Sequence, residues 1–85
     1  MKEFNYVIQD EMGLHARPAA ILVKKAKGYR SAVSISHGEK KADAKKIISI
    51  MQLAIKQGDK VRFTIDGEDE AEAAEDFERF VREKV

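Results

Sequence analysis

Residues 2–9, KEFNYVIQ, alternate between apolar and polar. Phe4, Tyr6 and Ile8 share one side, while Glu3, Asn5 and Gln9 share the other with Val7. A period of two predicts a half-buried strand. The tetrapeptide DEMG then breaks the alternation. From Ala16 to Lys27 the apolar positions recur with helical spacing, and Gly28 stands where a helix end favours a left-handed residue.

Alternation returns in SAVSIS (31–36), with Val33 and Ile35 opposite Ser34 and Ser36. HGEK is a turn signal, and KKADA fits a short returning strand. Residues 46–57, KIISIMQLAIKQ, have helical character up to Gly58. DKVRFTID (59–66) is the clearest strand, with Val61, Phe63 and Ile65 on one side and Lys60, Arg62 and Thr64 on the other. In the last segment Ala74, Phe77, Val81 and Val85 form an apolar helical stripe flanked by Ala73 and Phe80. Its acidic start and basic end suit the helix dipole. The predicted order is strand, helix, strand, strand, helix, strand, helix. One sheet with helices on a single face accommodates it, because alternating strands leave a polar face for water.

One helix does not fit the usual width. At about 100° per residue, Ile50, Leu53 and Ala54 fall on one side and Ile47, Ile48, Met51 and Ile55 on an adjoining one. The apolar arc spans roughly 220°, about twice the stripe a surface helix needs. A small chain buries too little surface to enclose a whole helix. Ile47, Ile48 and Met51 are therefore expected to form an exposed patch for a partner.

The chain has 85 residues, a length that fits one domain over 1–85. Cysteine is absent, which excludes disulfides, thiolate metal sites and cysteine nucleophiles. The first residues do not resemble a signal peptide, and no apolar run approaches a membrane span, so a cytoplasmic location without membrane contact is expected. The net charge of +1 hides an asymmetry: residues 1–64 hold 13 Lys and Arg against 6 Asp and Glu, whereas residues 65–85 hold 3 against 9. A basic body of this kind suits an acidic partner. A nucleic-acid-binding reading on Lys24, Lys25, Lys27, Arg30, Lys40 and Lys41 is opposed by the acidic final helix and the lack of exposed aromatics.

The segment GLHARP (13–18) concentrates the candidate chemistry. Proline is tolerated only in the first turn of a helix, so Pro18 places the helix start near His15 or Ala16. The free N–H groups of Ala16 and Arg17 then lie beside the imidazole and attract anions. Arg17 adds a planar fork matched to phosphate oxygens. No partner carboxylate or serine adjoins His15 in sequence, and no glycine-rich phosphate loop is present. This set can accept a phosphoryl group on nitrogen and release it. A lone histidine before a helix would more simply cap it; Arg17 and Pro18 favour the anion site. His37, in a turn without arginine or apolar wall, reads as an exposed loop residue.

GLHARPAAILVKKAKGY resembles the active-site segment of HPr, the histidine-containing phosphocarrier family of the bacterial sugar phosphotransferase system. KKADAKKIISIMQLAIKQGDKV and DGEDEAEA extend the similarity over nearly the whole chain. The resemblance implies an α+β open-faced β-sandwich, order βαββαβα, with a four-stranded antiparallel sheet and three helices on one face. It implies that His15 takes a phosphoryl group on Nδ1 from enzyme I and passes it to a sugar-specific enzyme IIA, with Arg17 on the phosphoryl group. Ile47, Ile48 and Met51 match the family's docking surface, and Lys24, Lys27 and Lys45 surround it. The implied protein is a monomeric carrier without turnover of its own, cofactor or metal. The alternative is an HPr-like regulatory module of a nitrogen-linked or other specialised relay, binding regulatory proteins according to His15 phosphorylation. Two positions depart from the pattern: Lys46 replaces a serine that a regulatory kinase phosphorylates in many members, and Met12 replaces a short polar residue. Ser49 is not the matching position.

Overall fold

A computed structural model describes residues 1–85. The elements are β1 (Lys2–Val7), α1 (Ala16–Ala26), β2 (Ala32–His37), β3 (Lys40–Asp43), α2 (Ile47–Met51), β4 (Lys60–Asp66) and α3 (Glu70–Lys84). The order is βαββαβα, as expected. All neighbouring strands are antiparallel, in the spatial order β1-β4-β2-β3. Phe4 and Tyr6, Val33 and Ile35, Ala42, and Val61, Phe63 and Ile65 are buried toward the helices. Their alternate neighbours, such as Glu3, Ser34, Lys41 and Arg62, lie on the open face.

Phe63 sits at the centre of this packing. It pairs with Phe4 on one side and Ile35 on the other. The Phe4 ring stacks on it at 5.1 Å, and Phe77 of α3 meets it edge-on at 5.3 Å. Tyr29, just beyond α1, closes the cluster against Phe77 at 5.8 Å. Offset and edge-on geometry suits the ring quadrupoles. The Tyr29 hydroxyl donates to Asp76 at 2.5 Å, and Asp76 also pairs with Lys25 at 3.0 Å, so α1 and α3 are joined twice. Burial, then that carboxylate, holds the Tyr29 hydroxyl well above its ordinary pKa.

The apolar segment after β3 behaves differently from its pattern. The helix does not run to Gly58; it ends after Met51. Leu53 and Ala54 donate to the carbonyls of Ile50 and Met51, tightening the last turn, and Ala54 then takes a left-handed φ of 52°. This reversal turns Ile55 inward. Ile50, Leu53 and Ile55 are buried, whereas Ile47, Ile48 and Met51 remain 36%, 69% and 40% exposed. The wide arc thus resolves into a buried side and an exposed one. At the other boundary, Gly28 is not the left-handed cap: Lys27 ends α1 in helical conformation, and Gly28 donates to the Lys25 carbonyl within a continuing turn.

A left-handed backbone strains alanine and not glycine. Ala54→Gly is expected to stabilise the protein by about 0.5–1 kcal/mol, read from the urea midpoint. Asp69 tests the acid side. Its carboxylate accepts the Ser31 hydroxyl and the backbone N–H groups of Ser31 and Arg30, which fastens the β2 entry to the start of α3. The Ser31 hydroxyl, then the Arg30 N–H, lowers its pKa below the ordinary 3.8. Such a group stabilises the fold above 3.8 and loses that effect as pH falls through its depressed folded value. Asp69→Ala is expected to flatten the acid limb of stability against pH, measured by urea melts from about pH 6 down to about pH 2.5.

Candidate functional site

His15 is the N-cap residue of α1, with extended φ −86° and ψ −172°. Its side chain makes no hydrogen bond to the helix start, so the capping reading does not describe it. Ala19 donates to the His15 carbonyl at 3.0 Å, closing the first turn. Pro18 contributes no donor, which leaves the amides of Ala16 and Arg17 as the free N–H groups of that turn. Arg17 is exposed and enters none of the ion pairs of the molecule. The His15 side chain is 28% exposed. An anion at this helix start meets two amides and an unengaged guanidinium.

A carboxylate that the linear pattern did not reveal also stands here. Asp10 Oδ2 lies 3.5 Å from His15 Nε2. Its other oxygen accepts the Met12 N–H at 2.9 Å, and its carbonyl accepts the Gly13 N–H at 2.8 Å. The Met12 bond first, then the histidine, holds the Asp10 carboxyl below its ordinary pKa against an opposing effect of burial. The signal was in DEMG: aspartate at the first position of a turn with glycine at the fourth folds the chain back on itself. This turn brings residue 10 beside residue 15.

The loop is held from below. Leu14 donates to the Ile55 carbonyl at 3.1 Å, and Gly13 takes φ 70° against it. A Cβ on Gly13 would lie 2.4 Å from the Ile55 oxygen and 2.8 Å from Lys56 Cα. The opposing segment is anchored in turn. Ile8 donates to the Asp59 carbonyl and Gly58 to the Ile8 carbonyl, while Gln57 Nε2 reaches the Gln9 carbonyl. His37 belongs to this bracing and is not a free loop residue. Its Nε2 lies 3.1 Å from Asp59 and its Nδ1 3.4 Å from the Leu53 carbonyl.

The other sequence-predicted residues divide in two. Ile47, Ile48 and Met51 lie exposed on α2, which packs beside α1. Lys24 and Lys27 are exposed on α1. At helical spacing they share its outward side with Arg17 and Ala20. Lys45 is half-buried, and its Nζ donates to the Tyr29 carbonyl at 3.0 Å, past the far end of α1 from His15. Gly13→Ala is expected to cost about 2–4 kcal/mol in urea unfolding, because it combines left-handed strain with a clash against backbone.

The family described as PTS HPr component phosphorylation site matches residues 2–83. The phosphocarrier protein HPr of Lysinibacillus sphaericus is 43% identical over 75 residues, spanning 88% of this chain and 85% of that protein. The HPr-like protein Crh of Bacillus subtilis is 42% identical over 73 residues, 86% of each chain. The solved structure of a Mycoplasma histidine-containing phosphocarrier protein superposes with a TM-score of 0.91 at 34% identity, covering 96% of this chain and 93% of that one. Because the family match takes in all but the last residue of the seven elements, together with the loop that presents His15, the chain belongs to the HPr family, the phosphocarriers of the phosphotransferase system.

Proposed function

We propose that this protein is a cytoplasmic single-domain phosphocarrier in which His15 receives a phosphoryl group from enzyme I and delivers it to an enzyme IIA. One observation carries the reading: a partly exposed imidazole, bonded to no cap donor, stands at a helix start with two free amides and an unpaired arginine beside it. In the loading step the lone pair of His15 Nδ1 attacks phosphorus. The bond from phosphorus to the enzyme I donor atom breaks, and its electron pair stays with the donor. The Ala16 and Arg17 amides and the Arg17 guanidinium then hold the phosphoryl oxygens, where backbone dipoles and a fixed cation favour negative charge. Delivery reverses the sequence at the acceptor.

Arginine and helix-start amides bind the transferred group without closing over it, which suits a relay that must present the same atom to two proteins in succession. The exposed Ile47, Ile48 and Met51 supply apolar docking area on the helix that packs beside α1, and Lys24 and Lys27 supply charge that steers acidic partners. Lys45, tethered to Tyr29, contributes from a fixed position. The protein lends its histidine as both substrate and donor and has no turnover of its own. Regulation through a phosphorylated serine at position 46 has no acceptor in this chain, since an exposed lysine caps α2 there.

With phosphoenolpyruvate and catalytic enzyme I, intact mass is expected to show one acid-labile phosphate on the wild type and none on folded His15→Ala. A wild type that stays unmodified beside an active control carrier overturns the reading. Ile48→Glu is expected to leave the fold intact and lower the rate of loading at limiting carrier by about tenfold or more, since it places a charge in the apolar interface.

A further inference from the structure

The ring of His15 has two nitrogens, and only one of them has a protein partner. Nε2 lies 3.5 Å from Asp10 Oδ2, and the side chain makes no bond to the helix start. A neutral imidazole donates from one nitrogen and accepts at the other, whereas a carboxylate only accepts. From this we infer that Asp10 is a positioning residue for phosphoryl transfer: it keeps the proton on Nε2 and so leaves the lone pair on Nδ1. The inference rests on the carrier reading and adds to it a residue outside the GLHARP segment.

The geometry supports a fixed role for this carboxylate. Its Oδ1 is committed to the Met12 N–H at 2.9 Å, and its backbone carbonyl to Gly13 at 2.8 Å, so the turn itself aims Oδ2 at the ring. Met12 brings no hydroxyl, amide or charged side-chain group to the loop, and Asp10 is the side chain that lies within 3.5 Å of the ring. A contact of 3.5 Å in the unloaded protein is of the kind that tightens when charge develops. Loading makes it develop. Once Nδ1 bonds phosphorus while Nε2 keeps its hydrogen, the ring becomes cationic, and Asp10 stands opposite that hydrogen. In delivery the Nδ1–phosphorus bond breaks and its electron pair returns to Nδ1. The leaving group is then a neutral imidazole, with the Nε2 hydrogen still in place, and no proton has to be supplied. A carboxylate that orients a working histidine through its second nitrogen is a recurring arrangement.

Asparagine at position 10 separates this role from support of the turn. Its carbonyl oxygen can keep the Met12 N–H, which turns its NH2 group toward Nε2 and replaces an acceptor by a donor. Imidazole ¹⁵N spectra of the wild type at about pH 8, where free histidine is neutral, are expected to show hydrogen on Nε2. Asp10→Asn is expected to shift population toward hydrogen on Nδ1, with Leu14 and Ala16 amide shifts near wild type. Asp10→Ser, which retains a turn acceptor but is too short to reach the ring, is expected to weaken the bias without reversing it. Quench-flow loading by phosphorylated enzyme I is expected to slow roughly threefold to tenfold in the asparagine variant, the scale of a lost supporting contact at an open site. Unchanged tautomer and rate in both variants would overturn the inference while loading of the wild type leaves the carrier role standing. A slower rate with an unchanged tautomer would also overturn it, since that marks a structural effect alone.

Discussion

The closeness of Gly13 to the Ile55 carbonyl is the constraint on which the rest of the site depends. The two backbones approach within a distance that excludes even a methyl group. The Leu14 amide completes the seam at 3.1 Å. Above it, the chain passes through the DEMG turn and into α1, so this seam places the His15 backbone and the Asp10 carboxylate that meets its ring. Below it, Ile55 is placed by the left-handed Ala54 and by the strand-end bonds of Ile8, Gly58 and Asp59. The site therefore inherits its rigidity from a meeting of two loops, each tied to the end of a sheet strand. That is how a small protein can hold a reactive side chain steady at its surface.

The electrostatics follow from the same economy of parts. The His15 side chain is partly exposed, and water is not shut out. What the fold provides is direction: amides at the helix start, a guanidinium on the first turn and a carboxylate on the far nitrogen of the ring. These act locally, which matches a group that is transferred by approach of another protein. The asymmetry of charge along the chain has a structural counterpart, with basic residues on α1 and the acidic stretch on α3 and the turn that leads into it, and Lys25 of the first paired with Asp76 of the second.

Most of the fold could be read from period alone. Phe4, Tyr6, Val33, Ile35, Val61, Phe63 and Ile65 each fall on the buried side that alternation assigns, because every strand has one wet face. The candidate anion site at the start of α1 was legible too, since Pro18 restricts where a helix can begin. What period could not show was the end of α2. Hydrophobic spacing stays helical through Ile55, but the reversal at Ala54 is dictated by tertiary placement of Ile55, and alanine gives no local sign of it. Asp10 and His37 were missed for a related reason. Each acts across a turn or between separate segments, and residues that meet in space through a loop leave no periodic trace.

The five-residue α2 has a consequence for how the exposed patch persists. One helical turn and a half cannot sustain itself in water, because nucleation fixes several residues for very few hydrogen bonds. Ile47, Ile48 and Met51 thus keep their arrangement only while Ile50, Leu53 and Ile55 stay seated in the core. The sheet and α3 do not depend on this segment in the same way. This short exposed segment is a natural place for subglobal opening, so its amides are expected to exchange faster than those of the central strand β4.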